Sequence, residues 1–227
     1  MSDDLKKQAA LAALDEIRNG MIVGLGTGST AAHFIRALGS RARDGLKVVG
    51  IPTSEDSARL AKEAGVPLTT FRDHPEIDVT VDGADEVSPE LDLIKGLGGA
   101  LVREKIVVHA SKRVVIVVDE TKLVERLGAK TVIPVEVIPF AMDRVILQLK
   151  RRGGEARLRG KNGNPFLSDN GNAILDWKHG VIDQPAVLEG QLKAIPGVLD
   201  SGIFANVAQC VVVAGASGIR KIEKMGM

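Results

Sequence analysis

No tyrosine occurs among the 227 residues, and aromatics together make up 3%. Base-stacking surfaces need aromatic faces, so this composition argues against a single-strand nucleic-acid binder. One cysteine, Cys210, is present, which excludes a disulfide framework within the chain and a thiolate zinc cluster. Cys210 opens the apolar run Cys210-Val211-Val212-Val213-Ala214, a setting for a buried, inert thiol rather than a nucleophile. No apolar run approaches the ~20 residues that cross a bilayer. The opening Met1–Lys7 lacks the apolar core of a signal peptide. The expectation is a cytoplasmic protein without a membrane partner. Charge of one sign is also lacking: 30 Lys+Arg against 29 Asp+Glu leave a formal net charge of +1, so no basic excess draws the chain to nucleic acid. The four histidines, His33, His74, His109 and His179, have no ligand spacing, and no HExxH or acidic calcium loop occurs, so no metal is implied. A Gly-x-Ser-x-Gly elbow is missing as well, which leaves serine hydrolysis without support.

What is present is an alternation of apolar runs and amphipathic stretches over a 44% hydrophobic chain. Residues 3–18 read as a helix, 21–25 as a buried strand, and 31–38 as a helix with Phe34, Ile35 and Leu38 on one face. Strands follow at 47–52, 66–68, 77–81 and 113–118, with helices at 55–64 and 100–110. Continuous Val/Ile strands suit a parallel sheet covered on both faces. Past residue 130 the order becomes strand 132–138, helix 139–151, strands 155–159 and 173–177, helix 185–194 and strand 198–204. That is the split β-α-β-β-α-β pattern. The strand 211–214 and the tail 219–224 are assigned to the first sheet. The fold class expected is α/β: a Rossmann-like open, mostly parallel sheet with helices on both faces (residues 1–130 with 207–227), plus a smaller ferredoxin-like α+β domain (131–206).

In open parallel sheets, ligands sit at the carboxyl ends of strands. Four strand ends carry polar clusters: Gly26-Thr27-Gly28-Ser29-Thr30, Thr53-Ser54, Asp82-Gly83-Ala84-Asp85-Glu86 and Asp119-Glu120-Thr121-Lys122. The first is a glycine turn opening a helix, an anion cradle of free N–H groups and positive dipole. No lysine follows it as in a nucleotide P-loop, which points to a small phosphate ester. Asp82 stands at a strand tip, where turn capping and function are equally expected. Lys95-Gly96-Leu97-Gly98-Gly99 sets a cation beside a second glycine loop, suited to an oxyanion. Glu104 shares a helical face with Leu101 and Val108, and a carboxylate on a partly apolar face suits a general base. Lys122 is a further candidate cation. Taken one by one, Glu104, Asp85, Glu86, Lys95 and Lys122 also fit ordinary surface or turn roles.

Taken together, Gly26–Thr30, Asp82–Glu86, Lys95-Gly96-x-Gly98 and Arg103-Glu104-Lys105 closely resemble ribose-5-phosphate isomerase of the A type. Pro134–Pro139, Ser168–Asn172, Ile195–Val198 and Gly202–Asn206 are similar to the same family, so the likeness covers nearly the whole chain. The resemblance implies interconversion of ribose 5-phosphate and ribulose 5-phosphate with no metal and no cofactor, a sugar phosphate as partner, and a homodimer or homotetramer. It implies Glu104 as the base; the chemistry of the residues themselves suits Lys95 to the oxyanion and Asp82, with Asp85, to moving protons between O1 and O2 or opening the sugar ring. The resemblance implies substrate contacts from Thr27, Gly28, Ser29, Thr30, Asp82, Gly83, Ala84, Asp85, Lys95, Gly96, Leu97, Gly98 and Lys122, and the strand-end position adds Thr53 and Ser54. Leu97 departs from the unbroken glycine run common in the family, and a positive φ there would be costly. Two other classes compete. Gly26-x-Gly28-x-x-Ala31 formally fits a dinucleotide fingerprint, although Thr53-Ser54 occupies the place of the expected acid. A non-catalytic sugar-phosphate sensor would bring a DNA-binding helix pair, which is not seen.

Overall fold

The computed structural model describes residues 3–161 and 164–224. In chain order the elements are α1 (Asp3–Ala12), β1 (Ile22–Leu25), α2 (Ser29–Arg43), β2 (Val49–Pro52), α3 (Glu55–Ala64), β3 (Ile77–Asp82), β4 (Glu86–Val87), β5 (Leu93–Ile94), α4 (Leu101–His109) and β6 (Ser111–Asp119). They continue with β7 (Ile133–Val137), α5 (Met142–Arg151), β8 (Glu155–Leu158), β9 (Gly160–Lys161), β10 (Asn164–Pro165), β11 (Ala173–Lys178), α6 (Pro185–Lys193), β12 (Val198–Ser201), β13 (Ile203–Phe204), β14 (Cys210–Gly215) and β15 (Gly218–Glu223). Two compact units result. The first is Met1–Ala84, Arg103–Lys122 and Val207–Met227; the second is Asp85–Val102 and Leu123–Asn206.

The first unit is built on a six-stranded sheet of order β15-β14-β6-β3-β1-β2. Neighbouring strands from β14 to β2 run parallel, and only β15 is antiparallel, at the edge. The parallel strands are apolar on both faces because helices cover both. Val23, Leu25, Val79, Val81, Val115, Val117 and Val212 pack with Phe34, Ile35 and Leu38 of α2 in one cluster. Val107 of α4 packs with Ile51 and Ile77 in another. Each such fully buried aliphatic adds about 1.5–3 kcal/mol over its exposed state. At the β2 edge, the Gly50 N–H donates to the Pro67 carbonyl and the Thr69 N–H to the Gly50 carbonyl. The expected strand at 66–68 is therefore a single bridge, Gly50 to Leu68. The expected first helix also ends early: Ala13–Glu16 tightens to a 3-10 turn, and Ile17 is extended at φ −95 and ψ 134.

The second unit carries a four-stranded antiparallel sheet of order β12-β7-β11-β8, with the helices α5 and α6 in the split β-α-β-β-α-β order. Val145 and Leu149 of α5, one turn apart, are buried in a cluster with Val135, Val137, Leu175 and Trp177. The expected strand 198–204 divides. Val198–Ser201 joins this sheet, whereas Ile203–Phe204 pairs with β5 in a separate sheet, β13-β5-β4, that the sequence did not announce.

Candidate active site

In the first unit, β1 and β3 are parallel neighbours, so their carboxyl ends, Gly26 and Asp82, lie side by side. The Asp82 carboxylate approaches so closely that a Cβ on Gly26 would stand 2.2 Å from Asp82 Oδ1 and 2.6 Å from its Cα. Glycine is required at 26 by this approach. The Thr27 and Gly83 N–H groups donate to Asp82 Oδ1 at 3.1 and 2.7 Å. Asp82 is fully buried, so one carboxylate oxygen fixes two turns at once.

Gly28 takes φ 104 as the N-cap of α2, a left-handed-side conformation that costs glycine least. The turn leaves Gly28 and Ser29 exposed at the helix start, where unsatisfied N–H groups and the dipole favour an anion. Lys6 of α1 brings a charge there: its Nζ donates to Ser29 Oγ at 2.9 Å. One turn away, His33 Nε2 lies 2.9 Å from Asp3 Oδ1, a second link between α1 and α2. The His33 hydrogen bond is the main cause that holds the Asp3 carboxyl below its ordinary value.

Thr53 and Ser54 are buried. The Thr27 hydroxyl lies 2.7 Å from that of Thr53, 2.8 Å from that of Ser54 and 3.2 Å from that of Ser57. Thr53 donates to the Leu25 carbonyl and Ser57 to the Gly26 carbonyl. These hydroxyls tie β2 and α3 to the glycine turn. Ser54 also caps α3 by accepting the Ser57 N–H at 3.0 Å.

Glu104, in the first turn of α4, is 3% exposed. Its neighbour Arg103 donates to Glu55 at 2.8 Å, which fixes the start of α4 to that of α3. At the end of β6, Asp119 accepts the Thr121 N–H at 3.0 Å and shapes the turn that carries the half-buried Lys122.

In the second unit, the lysine loop is anchored at both ends. The Lys95 N–H donates to the Gly202 carbonyl at 2.8 Å. The Lys95 side chain is 2% exposed, with Nζ 5.5 Å from the centre of the Phe204 ring. Asp85 accepts the Leu97 N–H at 3.0 Å. Gly96 and Gly99 hold the positive φ values, 96 and 87, whereas the positive-φ residues other than glycine are Leu91 and Asn206. Leu97 is thus accommodated because the loop turns at the glycines on either side of it. Glu86 beside Asp85 is structural: fully buried, it accepts the N–H groups of Gly128, Lys130 and Thr131 at 2.6–2.7 Å.

The structure therefore brings Gly26–Thr30, Thr53, Ser54, Asp82, Gly83, Ala84, Glu104 and Lys122 into the first unit. Asp85, Lys95, Gly96, Leu97 and Gly98 fall in the second. The sequence reading missed Lys6 and Ser57, which carry no local motif.

A family model described as ribose 5-phosphate isomerase A (phosphoriboisomerase A) matches residues 49–218. A ribose-5-phosphate isomerase A of Gloeobacter violaceus is 52% identical over 218 residues, covering 96% of this chain and 95% of that protein. Among solved structures, a D-ribose-5-phosphate isomerase in complex with phospho-erythronic acid is 43% identical. Its TM-score is 0.95, with 98% of this chain and 100% of that chain covered. The ribose 5-phosphate isomerase A of Methanocaldococcus jannaschii is also 43% identical, with a TM-score of 0.94 and coverage of 99% and 100%.

Proposed function

The chain belongs to the ribose 5-phosphate isomerase A family, and from that premise we propose how its own residues divide the work. The enzyme interconverts ribose 5-phosphate and ribulose 5-phosphate, an aldose–ketose isomerisation of the pentose phosphate pathway. The open-chain aldose loses its C2 proton to a base, and the electron pair moves onto the carbonyl oxygen at C1, giving an enediolate. The proton returns to C1 while the C2 hydroxyl gives up its own and becomes the ketone. No net oxidation occurs.

Glu104 is the base. Its burial supports this role, since a desolvated carboxylate competes for a carbon-bound proton better than a hydrated one. Lys95, with the N–H groups of Gly96 and Gly98, meets the charge that develops on oxygen, while Asp85 holds the Leu97 N–H between them. Asp82 and Asp85 carry protons between O1 and O2, and Gly83 and Ala84 form the turn between them. The phosphate lies at the start of α2, on the N–H groups of Gly28, Ser29 and Thr30, with Lys6 and Lys122 as cations. Thr27, Thr53 and Ser54 hold that cradle in shape. The observation that carries the reading is the pairing, in one unit, of a buried carboxylate with a helix N-terminus that already holds a lysine.

Neither competing class has comparable support. A nicotinamide enzyme needs an acid reaching the ribose from the end of β2, and the hydroxyls of Thr53 and Ser54 turn onto Thr27 instead. A regulatory sensor has no use for a buried base. No helix among the described residues is long and apolar enough to cross a membrane. The same reading makes the enzyme a cytosolic homodimer or homotetramer.

The test is ketose formation from ribose 5-phosphate by the purified chain in EDTA, repeated with Glu104→Gln. Turnover should persist in chelator and fall by about 100- to 10,000-fold in the variant, the worth of a general base, with KM little changed. Near-normal turnover of Glu104→Gln would remove it from the base role.

A further inference from the structure

Two consecutive carbonyls of the lysine loop end on one guanidinium. Arg159, just past β8, donates through Nη1 to the Gly96 carbonyl at 2.9 Å and to the Leu97 carbonyl at 3.1 Å. Its opposite edge is fixed in turn: Nε donates to Asp176 Oδ2 at 3.0 Å, and Nη2 to Asp176 Oδ1. The two side chains are only 14% and 27% exposed, so the pair is screened less than a surface pair. The guanidinium also lies 5.9 Å from the centre of the Phe166 ring. That ring fills the space a Cβ on Gly99 would take, 2.4 Å from its nearest carbon. Arg159, Asp176 and Phe166 therefore bound the loop on one side, and Asp85 holds the Leu97 N–H.

The consequence follows from the planar trans peptide, whose C=O and N–H point in opposite directions. The peptide between Gly96 and Leu97 is held at both ends, its carbonyl on Arg159 and its N–H on Asp85. The next peptide has its carbonyl on Arg159 too, which turns the Gly98 N–H away from the guanidinium. Ion pairing with Asp176 alone would not require arginine. A planar fork that grips a carboxylate and still reaches two carbonyls does, because lysine has three donors on one atom and cannot span both sides.

Resting on the isomerase reading above, we propose that Arg159 is a positioning residue of the reaction: it sets the peptide orientations of the Lys95–Gly99 loop. It touches no reacting atom and acts through the loop. Dipoles aimed in advance stabilise charge that appears only in the transition state, so a slack loop costs turnover more than it costs binding.

The experiment compares the wild type with Arg159→Ala, Arg159→Lys and Asp176→Asn, with Arg157→Ala as control. Arg157 pairs with Glu155 at the surface and lies outside the site. For each, kcat and KM for ribose 5-phosphate are measured in EDTA beside the melting temperature. Arg159→Ala and Arg159→Lys should both lose about 10- to 100-fold in kcat, the cost of misplacing a reacting group by around an ångström, while KM stays nearly constant. Arg159→Lys should melt with the wild type and still not recover turnover. Millimolar guanidinium ion should restore part of the kcat of Arg159→Ala. Asp176→Asn should lose less, in the same direction, and Arg157→Ala nothing. Wild-type kcat in Arg159→Lys, or losses in proportion to melting temperature with no guanidinium rescue, would overturn the proposal. A wild-type chain without turnover would instead overturn the isomerase reading and take this one with it.

Discussion

Lys6 reaches Ser29 across 23 positions of sequence, and nothing local to it marks the contact. At this scale, legibility depended on whether a residue's role is written in its neighbours. Gly26, Gly28 and Asp82 could be singled out because a glycine turn after an apolar strand is a local pattern. Lys6 and Arg159 could not, since their partners lie far along the chain and meet them only once the units have folded. Leu97 was a partial misreading: a branched side chain in a glycine run suggested strain at 97, yet the turns fall at 96 and 99. The role of Lys6 has a kinetic signature. A cation that holds phosphate equally in ground and transition states contributes uniform binding, so Lys6→Ala should raise KM by about tenfold and leave kcat nearly unchanged. Steady-state kinetics check this, and a fall in kcat with KM unchanged would move Lys6 out of the phosphate site.

Among elements, the long strands and helices were legible and the two-residue strands were not. Ala173–Lys178 announces itself by apolar content and a flanking Asn-Gly turn. Glu86–Val87, Leu93–Ile94 and Ile203–Phe204 are too short for any period to show, and they exist because of their pairing partners. The link between the turn after α1 and the hairpin β14–β15 was equally hidden. Glu16 accepts from Arg113 on β6 and from Lys221 on β15 at 2.9 and 3.0 Å, and Arg113 also reaches Glu223. Burial works to raise the Glu16 pKa, but the hydrogen bonds from Lys221 and Arg113 outweigh it and hold it below the ordinary 4.5. A carboxyl lowered on folding stabilises the fold above its unfolded pKa and loses that contribution as pH falls through the folded value. Glu16→Gln should therefore be less stable near pH 7 by about 1 kcal/mol. The gap should close as the pH drops below 4.5, as denaturant melts across that range would show. A gap that persists at low pH would assign the loss to packing. Cys210 sits in the same cluster, where burial foremost, with Glu223 beside it, pushes its thiol up to about 12.

For the molecule as a whole, the alternation of strand and helix and the return of the last strands to the first sheet were readable. Each follows from hydrophobic period and length. Assembly was not readable in this way, because the surface of a subunit obeys no period. Phe140 is fully exposed and Ile138 and Leu147 are over 40% exposed, all in the second unit. If the homodimer or homotetramer proposed above holds, light scattering of the purified chain should give two or four times the 24.0 kDa of one chain, and a single-chain mass at micromolar concentration would overturn that proposal. The rims of the six-stranded sheet bear on a different hazard. One rim is the antiparallel β15, with Arg220, Lys221 and Glu223 along it. The other, β2, already spends hydrogen bonds on Pro67 and Thr69. Charged or occupied rims of this kind refuse a stranger's backbone, so crowding many copies together gives fibrils no ladder on this sheet from which to grow.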